Sequence, residues 1–154
     1  MTQTSSVQQA LTFTLEGETF GVEVGLVDEI VDPQPMTRVP NADPFAPALI
    51  NVRGTIVPVV DLRRRLGAEP AEATESSRML VLNLEVGGEP IKAALTADAV
   101  HDIVEVAVEE VESVPELGVR WPVEYFRGVA KKDGALVVLL DERTSLTPRA
   151  AKAA

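Results

Sequence analysis

Residues 48–67 read ALINVRGTIVPVVDLRRRLG. Two apolar runs flank a polar turn, Asn51-Val52-Arg53-Gly54, and the second run ends at Asp61 before Arg63, Arg64 and Arg65. Glycine at such a tip permits a turn with positive φ, and arginine places a forked donor away from the core. A tip built this way on a small β-domain reads as a recognition element.

Outward from that stretch, period and turn residues predict mostly strands. Leu11, Phe13 and Leu15 alternate with threonines, Gly17 turns the chain, and Phe20, Val22 and Val24 alternate again. Val27, Ile30 and Val31 fall at helical spacing, so one helical turn is expected before Pro33 and Pro35. Residues 56–60 are apolar around Pro58, which predicts an edge or bulged strand. Residues 68–77 read as a linker, followed by strands over 79–86 and 91–95 around Gly87-Gly88, and a helical turn near 99–103. Residues 115–125 read as irregular. A hairpin over 126–140 is closed by Asp133-Gly134. Residues 1–10 are expected to be disordered and 147–154 to form a flexible tail.

The chain carries an internal repeat. Phe20, Val22 and Val24 followed by Val27 and Ile30 match Ile91, Ala93 and Leu95 followed by Val100 and Ile103. Arg53-Gly54 is matched with Arg127-Gly128, and the strand ending at Asp61 with the one ending at Asp141. The fold class expected is mainly β, two pseudo-repeated five-stranded units sharing an apolar seam, with short helices.

Composition narrows function. In 154 residues the net charge is -10, which repels phosphate backbones and leaves residues 63–65 as the one basic cluster. Consecutive arginines point in different directions, so a solvated face is the reading preferred over nucleic acid. Aromatics are 4%, so the core is aliphatic. There is no cysteine, hence no disulfide and no thiolate metal site. The N-terminal residues lack a signal-peptide pattern, and no run reaches the roughly 20 apolar residues of a membrane span, so a cytoplasmic chain without direct membrane insertion is expected.

Nothing assembles an active site. His101 is the single histidine and reads as structural. Glu109, Glu110 and Glu112 lack calcium-loop spacing, Gly87-Gly88 precedes no helix, and Ser76, Ser77 and Ser113 have no base. Trp121, Tyr125 and Phe126 read as core anchors, and Asp61 and Asp141 as strand-end hydrogen-bond acceptors. No enzyme, cofactor or metal is expected.

The stretch INVRGTIVPVVDLRRRLG resembles the signature of the CheW adaptor domain of bacterial chemotaxis, and the similarity runs over residues 11–146. The resemblance implies two five-stranded SH3-like β-barrels, with the linker at about 68–77 between them. It implies a cytoplasmic, non-catalytic adaptor, recruited to receptor arrays at the inner membrane, that couples methyl-accepting chemotaxis receptors to the regulatory domain of the histidine kinase CheA. Asn51, Arg53, Gly54, Val27 and Ala48 fall on receptor-linked positions, and Leu11, Val24, Val27 and Ile30 on the kinase-docking patch. Leu117 falls near a surface that closes array rings. Ala48 departs from the family's usual glycine, and Val52 replaces the commoner leucine. The same adaptor in a non-flagellar chemosensory pathway is the alternative, and a small nucleic-acid-binding β-barrel is a remoter one. For Leu11, Val24, Val27 and Ile30 the competing reading is plain core filling. For Arg53 it is a surface salt bridge, worth about 0–1 kcal/mol.

Overall fold

In the computed structural model, which describes residues 7–42, 44–114 and 123–146, the threonine–apolar alternation sets β1 (Val7–Leu15). A two-residue turn at Glu16-Gly17 leads into β2 (Glu18–Glu23). A 3-10 turn (Val24–Leu26) separates β2 from β3 (Val27–Val31), and β4 (Thr37–Arg38) follows. The hairpin β5 (Ala48–Val52) and β6 (Thr55–Val60) ends in α1 (Leu62–Arg65). The second half runs β7 (Arg78–Val86), β8 (Glu89–Ala97) and β9 (Ala99–Ala107), then β10 (Phe126–Lys132), β11 (Ala135–Leu140) and α2 (Glu142–Ser145).

Several expectations need correction. β3 and β9 are strands where helical turns were expected, and both carry a bulge. Val27 pairs with Leu82 and Ile30 with Leu80, so three residues on β3 span two on β7. Val100 pairs with Phe13 and Ile103 with Leu11 in the same way. A bulge therefore turns strand spacing into an apparent i, i+3 pattern. Residues 7–10, expected to be disordered, pair with β9. β6 is not an edge, since β5 and β8 flank it. Its parallel pairing with β8 begins at Val59, so the missing N–H of Pro58 falls before that ladder.

The strands form two sheets, ordered β10-β11-β2-β1-β9 and β3-β7-β8-β6-β5-β4. Each sheet takes a central hairpin from one half of the chain and its flanking strands from the other. The repeat is thus interlocked, and residues 68–77 join two strands of one sheet without separating two units. Register defines the true equivalences. Leu139 pairs in parallel with Gly21 and Val59 with Ala94, so Gly21 corresponds to Ala94 and Val22 to Leu95. The alignment read from sequence is out by two residues in β8, because the β7–β8 hairpin is two residues longer per arm. A slip of two preserves every side chain's face, which is why the pattern still looked right.

The match of Arg53-Gly54 with Arg127-Gly128 is also corrected. Arg53-Gly54 closes β5–β6, and its counterpart closing β10–β11 is Asp133-Gly134. Arg127 and Gly128 lie inside β10 at a bulge. Gly128 corresponds to Ala48, and a Cβ on it would lie 2.6 Å from the Glu112 carbonyl oxygen.

Burial follows the alternation in three apolar layers. Ile50, Val57, Val59, Met79, Val81 and Ala94 fill the inner face of the six-stranded sheet. Ala10, Val106, Ala130, Val137 and Leu139 fill that of the five-stranded sheet. Between them Leu11, Phe13, Phe20, Leu80, Leu82 and Leu95 form the shared seam expected from the repeat. At about 1.5–3 kcal/mol per buried aliphatic side chain, this double-sided burial is the main stabilising term.

Candidate functional site

The β5–β6 tip is a two-residue turn in which Arg53 (φ 51°) and Gly54 (φ 87°) are both left-handed. Asn51 holds it, its Oδ1 accepting from the Gly54 N–H at 2.7 Å. The sequence assigned positive φ to the glycine alone, yet arginine shares the strained corner. Its side chain is 79% exposed, with Nη1 at 2.8 Å from Glu29 Oε1 on β3. No N–H is directed at that oxygen, so the contact is ionic and lacks a hydrogen bond.

β3 and β5 are four strand spacings apart in the sheet order, about 19 Å if the sheet were flat. Two side chains cannot bridge that distance, so the sheet curls until its tip meets its opposite edge. Beside Glu29, Asp28 accepts from Lys92 Nζ at 2.8 Å and from Asn83. The Lys92 ammonium, then Asn83, hold the Asp28 carboxyl below the usual carboxylate range.

The sequence-derived site residues divide. Asn51, Arg53 and Gly54 are exposed together at the tip. Val24 and Val27 are half-buried, and Ile30 is 44% exposed on β3, near Glu29. Leu11 is a correction, because it is 5% exposed within the shared seam and offers no docking surface. Ala48 is 4% exposed on the inner face. Leu117 and Trp121 lie outside the described residues.

Ile56, 60% exposed and paired with Asn51, was missed although it alternates with buried Val57. Glu29 was missed because the bulge disguised its strand. A cleft of about 310 Å³ bordered by Met36, Arg38, Ala48, Val59 and Met79 opens at the far end of the β5–β6 hairpin from Arg53.

The arginine cluster corrects the solvated-face reading. Arg63 bridges Glu16 and Asp98, while Arg65 stacks on Phe45 at 3.4 Å and donates to the Thr144 carbonyl at 2.6 Å. Of the three, Arg64 is exposed. Asp61 and Asp141 cap α1 and α2, accepting from the backbone N–H of Arg64 and of Arg143. The His101 ring lies 2.6 Å from the Thr14 hydroxyl. Among the described residues no His, Asp and Glu cluster could hold a metal ion, and no helix is long and apolar enough to cross a membrane.

The family model for the CheW-like domain matches residues 9–147, almost the whole interlocked double unit. The chain belongs to the CheW-like domain family. This CheW-like domain is 30% identical to the chemotaxis protein CheW of Klebsiella aerogenes over 134 residues, covering 87% of this chain and 78% of that protein. To the chemotaxis protein CheW of Bacillus subtilis it is 28% identical over 151 residues, covering 96% and 92%. The crystal structure of the scaffolding protein TtCheW from Thermoanaerobacter tengcongensis matches with a TM-score of 0.75 at 27% identity, over 92% of this chain and 88% of that one.

Proposed function

We propose that this CheW-like domain is a non-catalytic chemotaxis adaptor that couples chemoreceptor cytoplasmic tips to the regulatory domain of the histidine kinase CheA, working in the cytoplasm at receptor arrays. Family membership and the scaffold relative support the adaptor role. The observation that supports a recognition surface at the tip is the residue at position 53. A two-residue turn with both φ positive favours Asn, Asp or Gly, and the second copy obeys with Asp133 at φ 52°. The first copy instead places an exposed arginine there, at a cost of about 1–2 kcal/mol in backbone strain. Strain kept at an exposed corner points to use.

In this reading Asn51 and Gly54 hold the turn, and Arg53 donates to a receptor helix. Ala48 acts through backbone packing beneath the turn's strand. Val24, Val27 and Ile30 supply the apolar edge for the kinase, with Leu11 behind them as core. Leu117 keeps its ring-closing role on the resemblance alone. Because Arg53 contacts Glu29, between Val27 and Ile30, the receptor turn and the kinase edge touch within one sheet. Signalling then requires only that kinase-on and kinase-off assemblies differ in their contacts across this junction. Co-purification from the native cell tests the reading. A histidine kinase and chemoreceptors are expected together, and recovery of neither contradicts it.

A further inference from the structure

Glu142 opens α2 directly after β11, at the position equivalent to Leu62 in the first copy. Leu62 is 2% exposed and Glu142 is 6% exposed, so a carboxylate stands where the repeat otherwise builds core. Its Oε2 accepts from the Glu23 N–H at 2.8 Å, with Arg127 Nη2 at 3.9 Å. Parallel pairing of β11 with β2 ends at Leu139 and Gly21. The Glu142 side chain therefore takes a β2 donor that β11 no longer reaches.

Glu23 is the residue preceding the 3-10 turn Val24–Leu26, and it makes no side-chain cap of its own. The corresponding stretch of the second copy differs. There β8 continues through Ala97, the counterpart of Val24, which is fully buried at 0% exposure. The two copies thus diverge where one has an acceptor and the other has leucine. With the acceptor, the chain bulges into a turn that leaves Val24 half-buried at the surface. An unsatisfied N–H at this depth would otherwise favour a different path.

We propose that Glu142 is a positioning residue for the kinase-facing edge. Its carboxylate, supplied by the second half, holds the turn that presents Val24 and Val27. The proposal rests on the reading of that edge as the kinase surface. Glu142→Leu restores the side chain used by the first copy, and Glu142→Gln keeps a carbonyl acceptor.

The test measures affinity for the recombinant CheA regulatory domain, together with Tm and amide hydrogen exchange. Glu142→Leu is expected to weaken binding about tenfold. It is also expected to hold Tm at or above wild type and to speed exchange at residues 23–27. Glu142→Gln should bind within about twofold of wild type, a rescue that a volume effect would not give. Unchanged affinity in Glu142→Leu overturns the proposal. Should that variant not fold, exchange in the wild type decides: kinase binding should slow the amides of residues 23–27, and unaltered rates overturn it. Ile30→Asp is the control. If Ile30→Asp also binds normally, the reading of the edge has failed; if it alone weakens binding, only the role of Glu142 has.

Discussion

Arg53 and Asp133 occupy the same corner of two repeated hairpins, at φ 51° and 52°, with opposite charge. Their glycine partners, at 87° and 81°, are equally matched. The backbone demand at the two corners is therefore closely matched, while the side chains differ. Asp133, and not Arg127, is the internal control for Arg53.

From this follows a stability–function opposition at position 53. Arg53→Asn relieves left-handed strain and forfeits an exposed ion pair worth about 0–1 kcal/mol. Thermal unfolding should give a Tm equal to or above wild type, while pull-down by receptor fragments falls. A lower Tm with intact receptor binding would reverse the assignment.

The Arg53–Glu29 contact is exposed on the arginine side, and its stabilising effect is small and salt-sensitive. A double-mutant cycle of Arg53→Ala and Glu29→Ala should give a coupling of about 0.2–1 kcal/mol at low salt, fading at high salt. Coupling that survives high salt would mean a buried, hydrogen-bonded pair.

Leu11 and Ile30 are both apolar but differ in burial, 5% against 44%. Leu11→Ala should cost about 2–5 kcal/mol in denaturant unfolding without specifically weakening kinase binding. Ile30→Asp should change stability by about 0.5 kcal/mol or less and abolish kinase pull-down. A folded Leu11→Ala that loses only the kinase would return Leu11 to the docking patch.

Glu142 gives a pH signature. Burial, the largest influence, pushes its carboxyl above the ordinary 4.5, against the downward pull of the Glu23 N–H and Arg127. With the folded pKa raised, the folded state holds the proton more tightly than the unfolded chain. Stability from this group is greatest at low pH and is lost as pH rises from about 4.5 through the folded pKa. The Tm of wild type relative to Glu142→Gln should therefore fall over that interval, and a difference that rises with pH would contradict the assignment.

The sequence carried the strand content, the shared seam, both capping aspartates and the Asp133-Gly134 hairpin, because period-2 burial and turn chemistry are local signals. It hid β3 and β9, where a bulged residue made Val27 and Ile30 imitate a helix. Interlocking of the halves was invisible, since nothing local distinguishes Val59 pairing with Ala94 from pairing within its own half. At the site, Asn51, Arg53 and Gly54 were legible as a turn. Glu29 was not, because its contact with Arg53 exists only once the sheet curls.

The most direct test is reconstitution of the ternary assembly from purified receptor fragment, CheA and this chain, scored by co-sedimentation for Arg53→Glu and Ile30→Asp. The account predicts that wild type brings both partners down. Arg53→Glu should lose the receptor fragment while keeping CheA, and Ile30→Asp should lose CheA while keeping the receptor fragment. Retention of both partners by both folded variants would contradict it.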